Sequence, residues 1–283
     1  MDFNPITFDA AALAEYSDLF NACFLGTNRF TTEYLKWLYV DNPDGKAFGF
    51  DARNEGVLAA HYVCVPARAM INGRPVRVLL SLNTATHPQF QGKGLFTKLA
   101  AMTYDAAALA GFEGVYGVAN ANSTPGFIRK LNFQLIRPLE ALVGIGRVGV
   151  VRGTAEKPLA FERIWDDSSL NWRCASPYNQ VTRTRRDGVW QFYSRAIGPW
   201  LQAYGEVVLG EQVALASGSA PVTPLKLYLG LVPDDAGGLR GFVSIPERFR
   251  PSPLNLIYRS LAKPGETLDS SRINFSFLDF DAY

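Results

Sequence analysis

The chain has 283 residues, 48% of them hydrophobic and 19% charged, which is enough apolar surface for one or two packed cores and too little charge for a disordered chain. A net charge of +2 excludes the concentrated basic face that nucleic acid requires, and no apolar run reaches the length of a membrane-spanning helix. Residues 1–16 carry acids where a secretory leader carries Lys or Arg, so a cytoplasmic location with no membrane partner is expected. Cys23, Cys64 and Cys174 are odd in number and widely spaced, which points to neither a disulfide framework nor a metal site.

In chain order, residues 11–24 place Leu13, Tyr16, Phe20 and Phe24 on one helical face, and Thr31 or Thr32 caps a second helix that runs through Trp37 and Leu38. Residues 46–53 and 57–65 read as two strands joined at Asn54-Glu55-Gly56, and Asn72-Gly73 marks a second hairpin turn. The stretch 75–86, rich in Val, Leu and Thr, predicts one long strand that ends at His87-Pro88. Between residues 56 and 104 there is no Asp or Glu, while Arg68, Arg74, Arg77, Lys93 and Lys98 give a local charge of +5 that would attract an anionic ligand.

A strand running into Gln89-Phe90-Gln91-Gly92-Lys93-Gly94 and then an amphipathic helix over 95–109 is an anion-binding arrangement. The first turn of a helix leaves backbone N–H groups without intrahelical partners, and Gly92 and Gly94 let a phosphate come close. Each such charge-assisted hydrogen bond contributes on the order of 1.5–3 kcal/mol. The spacing is not that of the ATP/GTP loop. Gly144-Ile145-Gly146-Arg147-Val148-Gly149 has dinucleotide-loop spacing, but residues 150–158 contain Gly153 and Pro158 and do not read as the helix such a loop requires. It is read as a glycine-rich strand end between two lobes.

The run from His87 to Phe96 resembles the coenzyme A diphosphate loop of the GNAT superfamily of acyl-CoA N-acyltransferases, whose pattern Arg/Gln-x-x-Gly-x-Gly/Ala is met by Gln91 and Gly94, with Phe96 where a small residue is usual. The surroundings are similar over residues 5–145: two helices, a meander of strands, the loop-bearing helix, a strand over 112–120 and a helix over 122–130 that ends in Lys130-Leu131-Asn132-Phe133. Ser81-Leu82-Asn83-Thr84-Ala85-Thr86-His87-Pro88 and Gly117-Val118-Ala119-Asn120-Ala121-Asn122-Ser123, with Trp37 and the acidic, aromatic end of the chain, resemble the bacterial nucleotide-sugar N-acyltransferases.

This resemblance implies an α+β fold, a mixed and mostly antiparallel sheet flanked by helices. It also implies acetyl-CoA or another acyl-CoA as co-substrate, held by Thr84, Ala85, Thr86, Gln91, Gly92, Lys93, Gly94, Leu95, Phe96, Thr97 and Asn122, with no metal. The amine of a nucleotide-linked amino sugar would attack the thioester directly; an antibiotic, polyamine or peptide amine, or a non-catalytic acyl-CoA-binding role, are the alternatives. Catalytic candidates are His61, Asn83 and Asn120. His61 reads either as a base or as a hydrogen-bonded strand histidine, Asn83 as an acceptor-orienting group or a backbone partner, and Asn122 as a pantetheine contact or the cap of the following helix. The Glu that many relatives carry on the long strand is absent, and Ile128 stands where many have a Tyr. The resemblance leaves room for a homo-oligomer.

After about residue 148, Gly, Pro and Arg rise and strands dominate, so the expected domains are 1–148, the acyl-CoA-binding catalytic domain, and 149–283, a degenerate GNAT-like lobe that contributes to the acceptor pocket. A faint echo supports this: Leu35-Lys36-Trp37 recurs as Leu170-Asn171-Trp172, and Glu55-Gly56-Val57 as Asp187-Gly188-Val189. Arg183, Arg185 and Arg186 read as a charged strand edge or as phosphate contacts, Pro251-Ser252-Pro253 as a turn into a strand over 254–260, and the alternation of Phe275, Phe277, Asp279 and Asp281 as a terminal strand.

Overall fold

The computed structural model describes residues 1–150, 153–154, 156–198, 200–210, 215–219, 221, 223–236, 239–250 and 252–281. In chain order the elements begin with β1 (Asp2–Pro5), α1 (Ala10–Cys23), α2 (Thr32–Tyr39), β2 (Phe48–Asn54), β3 (Val57–Ile71) and β4 (Arg74–Thr86). Then come α3 (Leu95–Leu109), β5 (Gly114–Ala119), α4 (Thr124–Leu131), β6 (Gln134–Pro138) and β7 (Glu140–Gly144). The rest carries β8 (Phe161–Arg163), α5 (Asp167–Cys174), β9 (Thr182–Arg186), β10 (Val189–Ile197), β11 (Leu201–Val207), β12 (Lys226–Gly230), β13 (Phe242–Ser244) and β14 (Asn255–Ser260). Among the described residues no helix is long and apolar enough to cross a membrane.

Two compact units interleave along the chain. The first takes Met1–Ala67, Arg77–Leu135 and Ile257–Thr267; the second takes Arg68–Val76, Ile136–Leu256 and the stretch from Leu268 onward. The division therefore differs from the single boundary expected near residue 148. The reason lies in β14, whose residues Asn255, Leu256, Ile257 and Tyr258 are all buried, the pattern of a strand covered on both faces. It finds that cover between β5 and β6, in the sheet of the first unit.

That sheet has the order β1-β2-β3-β4-β5-β14-β6. Local chemistry sets its first half. Asp9 and Thr31 accept from the Ala12 and Tyr34 amides and cap α1 and α2. Glu55 and Gly56, at φ 51° and 83°, form the left-handed pair that a two-residue hairpin needs, as do Asn72 and Gly73 at 50° and 79°. β3 continues past Val65 through Pro66, whose carbonyl accepts from Asn42, and its far end pairs with β8. Alternate β3 residues face opposite sides: His61 meets Tyr16, Phe20 and Tyr39 of α1 and α2, whereas Tyr62 packs with Leu99, Ala100 and Tyr104 of α3. Ile257 of β14 belongs to the α3-side core, and Gly114 of β5 is small because the Tyr258 ring lies 2.9 Å from where a Cβ would stand.

The sheet of the second unit has the order β13-β7-β12-β11-β10-β9. A helix capped by Asp166, a hairpin turned by Asp187 and Gly188 at φ 50° and 79°, an antiparallel third strand and a parallel fourth follow one another as α5, β9, β10, β11 and β12. This is the succession α2, β2, β3, β4, β5, so the two short echoes in the sequence fall at matching places. Residues 208–225, between the parallel pair, form no helix among the described residues, whereas α3 lies between β4 and β5. The expected terminal strand is absent: residues 277–279 make a 3-10 turn in which Ser276 and Asp279 cap one another. Phe275, Phe277, Leu278 and Asp279 are all buried, so the alternation read from the sequence is not an in-and-out pattern. β9 is an edge strand, as its arginines suggested, with Arg183 bonded to the Ala216 carbonyl and Arg185 over the Trp190 ring.

Candidate active site

β4 and β5 pair in parallel only from Val78↔Gly114 to Ser81↔Gly117, while β4 runs on to Thr86. Two residues past the last pair, Asn83 has φ 46°, a left-handed residue inside a strand, which bends the strand as a bulge does. The other edge stays attached, His87 N–H donating to Ala59. The result is an opening between β4 and β5, with Thr84, Ala85 and Thr86 along one side. At its vertex Ser81 shares a buried hydroxyl cluster with Tyr62 and Tyr104, whose phenols burial keeps protonated.

The loop lies at the mouth of this opening. Gln91, Gly92, Lys93 and Gly94 are exposed, and Gly92 and Gly94 have φ 75° and 71°. A Cβ on either would meet nothing within 4 Å, so glycine here serves the backbone turn and not packing. Gly94 caps α3 with no side chain, and the first intrahelical bond comes from Lys98 to Gly94. The amides of Leu95, Phe96 and Thr97 have no partner among the described residues. Gln91 Nε2 donates to the Thr86 carbonyl at 3.3 Å and ties the loop to β4.

The Phe96 ring turns inward, 5.1 Å from the Phe127 ring and against Gly126, where a Cβ would come within 3.0 Å. Its bulk is held between α3 and α4 and its amide stays at the helix end. The positive window of the sequence does not converge: Lys93 lies over Phe90 and Lys98 over Phe3 near the helix start, but Arg77 stacks on Phe112 and Arg68 pairs with Asp166. Side chains that share a stretch of strand alternate between faces, so charge summed along the chain overstates charge at one place.

On the α1–α2 side, His61 is fully buried and belongs to a hydrogen-bonded chain that the sequence reading missed. Asn83 Nδ2 donates to the Tyr39 hydroxyl at 3.3 Å, Tyr39 lies 3.3 Å from His61 Nε2, and His61 Nδ1 lies 2.6 Å from Asp51 Oδ1. Tyr16 donates to Asp51 Oδ2 at 2.7 Å. Asp51 and His61 are direct cross-strand partners. Asn83 is half-buried at the end of this chain, whereas Tyr39 and His61 have no exposed surface. Burial pushes the Tyr39 phenol well above its ordinary value, with the Asn83 bond acting in the opposite direction.

Asn120 holds the turn before α4: its Oδ1 accepts from the amides of Asn122 and Ser123, both at 3.0 Å. The capping role weighed for Asn122 is not seen: the N-cap of α4 is Ser123 with no side-chain cap bond, the Thr124 amide donates to the Asn120 carbonyl, and Asn122 is exposed. The Thr86 carbonyl is already engaged, accepting from both Gln91 and the Cys23 thiol, and the Ala85 side chain is buried, so Thr84 is the half-exposed member of the three with no such bond among the described residues. Ile128 packs against the α3-side core, so α4 brings no phenol to the opening.

The second unit has a comparable place, and it is filled. β11 and β12 pair only to Tyr204↔Tyr228, and beyond that pair Phe275 bridges to Leu231 while Ser276 and Phe277 pack on Gly205. The glycine-rich run at 144–149 holds no free anion seat either: the Val148 and Gly149 amides donate to Glu206 at 3.1 and 3.0 Å, and a Cβ on Gly146 would collide with the Arg240 carbonyl. A carboxylate from the chain already stands where a phosphate would. Calorimetric titration with coenzyme A is expected to give one site per chain; a second site of similar affinity would contradict this account.

A strand pair that opens past a bulge beside a glycine-bearing helix start defines the GNAT fold, the fold of acyl-CoA-dependent N-acyltransferases. Residues 5–136 match the model of the acetyltransferase (GNAT) domain. Among solved structures, the chain resembles Eis1 from Mycobacterium abscessus, with 11% identity, 92% of this chain and 74% of that one covered, and TM-score 0.59. It also resembles a GCN5-related N-acetyltransferase from Anabaena variabilis, with 10% identity, 92% and 73% covered, and TM-score 0.58. Saccharomyces cerevisiae N-myristoyltransferase with bound myristoyl-CoA aligns at 9% identity over 91% and 82% of the two chains, with TM-score 0.54. No curated protein matches the sequence. The GNAT acetyltransferase domain over residues 5–136 supports an N-acyltransferase.

Proposed function

We propose that the first unit binds acyl-CoA with its diphosphate on the amides of residues 92–97 and its pantetheine arm along Thr84 and Ala85, and transfers the acyl group to the amine of a nucleotide-linked amino sugar. The opening of β4 from β5 beside the unpartnered amides of α3 carries this reading. An extended amide-bearing arm can pair with a strand edge as another strand would, and the helix start supplies a seat for two phosphates.

The amine nitrogen attacks the thioester carbonyl carbon. A C–N bond forms, the C–S bond breaks with its electron pair going to sulfur, and the proton leaving the amine neutralises the thiolate. Backbone N–H groups of β4 beyond its last pair with β5 would receive the carbonyl oxygen, a contact that contributes about 3–4 kcal/mol in the transition state. Holding amine and thioester together contributes up to roughly 7–11 kcal/mol. Asp51, the carboxylate in the hydrogen-bonded chain that ends at Asn83, has a side chain 4% exposed and bound to His61 and Tyr16, so it does not reach an amine. This favours an amine of low basicity, such as that of an amino sugar, over a strongly cationic one. Incubation with acetyl-CoA or 3-hydroxybutanoyl-CoA and a panel of dTDP- and UDP-linked amino sugars should release thiol from at least one pair. Thiol release only with polyamines, aminoglycosides or peptides would replace the acceptor, and none with any amine would remove the catalytic reading.

A further inference from the structure

We infer that Tyr39, His61, Asp51 and Tyr16 form a positioning chain that fixes the Asn83 carboxamide with its oxygen presented to the acceptor amine. The inference rests on the acyl-transfer reading above and takes His61 as the hydrogen-bonded strand histidine of the two roles weighed for it, not as a base.

With a neutral His61, the direction of every bond in the chain follows from the carboxylate end. A carboxylate only accepts, so Asp51 requires a proton on His61 Nδ1 and takes a second hydrogen bond from Tyr16. A neutral imidazole protonated at Nδ1 has an acceptor at Nε2, so the Tyr39 hydroxyl, 3.3 Å away, donates to it. The Tyr39 oxygen is then free to accept, and Asn83 offers Nδ2 to it. An Asn held by its nitrogen points its oxygen the other way, and Asn83 Oδ1 has no partner among the described residues. A carboxamide that is free to flip shows an incoming amine its donor face half the time. One that is held shows only the acceptor, which takes an N–H of the amine and leaves the nitrogen lone pair for the thioester carbon.

Burial argues for positioning rather than proton abstraction. Tyr39 and His61 are 0% exposed, and the aromatic rings of Tyr16 and Phe20 cover the imidazole at 4.1 and 5.6 Å. Asn83, the only member that is half-exposed, has no titrating proton to take. The bulge places it there: Asn tolerates the left-handed backbone that the opening of β4 requires, so one residue serves both the opening and the acceptor face.

The test uses the full chain, acetyl-CoA and the dTDP- or UDP-linked amino sugar that gives the fastest thiol release. Asn83→Gly keeps the backbone conformation and removes the carboxamide; kcat should fall roughly tenfold or more while the KM for acetyl-CoA stays within about twofold. Tyr39→Phe and His61→Gln should each lower kcat roughly tenfold, and Tyr39→Phe placed on Asn83→Gly should lower it no further. A Tyr39→Phe protein that keeps the wild-type kcat, or that loses as much in the Asn83→Gly background as alone, overturns the inference. Should the buried variants unfold, the side-chain amide signals of Asn83 in the wild-type protein decide. Slowed solvent exchange of the Nδ2 proton donated to Tyr39 is expected, and exchange as fast as that of a solvent-exposed Asn overturns the chain. A wild-type protein that binds acetyl-CoA but acylates no amine fails the functional reading instead, a result visible before any variant is made.

Discussion

Gly94→Asp is expected to abolish coenzyme A binding and leave the fold in place. Gly94 has φ 71° with no atom near a new Cβ, so the substitution adds left-handed strain of about 1–2 kcal/mol, less in Asp than in most residues, against a total stability of about 5–15 kcal/mol. Its effect on the ligand is far larger. A carboxylate at the N-cap accepts from the amides of the first turn, as Glu206 does from Val148 and Gly149, and it repels the diphosphate. Losing three charge-assisted bonds of roughly 1.5–3 kcal/mol each should weaken binding at least a hundredfold in calorimetry, with the melting transition retained. Gly94→Ala separates the causes: it carries the strain without the charge and should keep most of the affinity. Native affinity in the Asp variant would place the cofactor elsewhere.

A chain ending at residue 148 is expected not to fold, although the sequence reads as if a domain ended there. Without β14 the first sheet has a gap between β5 and β6, and the α3-side core loses Ile257. Tyr258 no longer covers Gly114, and the Leu131 carbonyl loses the Arg259 guanidinium. Two fully buried large side chains at roughly 1.5–3 kcal/mol each, together with a strand's worth of hydrogen bonds, are comparable to the whole stability of a domain. Circular dichroism should show no cooperative melt, and joining residues 253–267 to the end of β6 through a flexible linker should restore one. A 1–148 fragment that melts cooperatively would refute this account of β14.

What the sequence made legible is what local chemistry decides. Thr31 capping α2, the left-handed pair Glu55 and Gly56, and the helix starting at Leu95 after Gly94 all follow from residues a few positions apart. Asp51 was passed over for a geometric reason. Counting back from the Glu55-Gly56 turn pairs Asn54 with Val57 and Arg53 with Leu58, which would bring Asp51 opposite Ala60; a bulge between Ala52 and Arg53 shifts the register by one and brings it to His61. A bulge leaves little trace in sequence, and without it the buried carboxylate and imidazole lie on opposite faces. The destination of β14 and the turn at Asp279 were hidden for the complementary reason: both are set by partners far away in the chain. Tyr16 reads from the sequence only as part of an apolar helical face with Leu13 and Phe20, and both it and Tyr39 are buried rings whose hydroxyls the pattern does not single out.

The late arrival of β14 has a consequence during synthesis. Once β6 has left the ribosome, more than a hundred further residues are translated before the strand that belongs beside β5 emerges. At about 5–20 residues per second this is on the order of ten seconds. For that interval the backbone groups along Gly114–Ala119 form an open edge next to an apolar surface, the configuration most prone to pairing with another nascent chain. Slower elongation through residues 139–254 should therefore lower the soluble yield, and a chaperone that shields exposed strand edges should raise it.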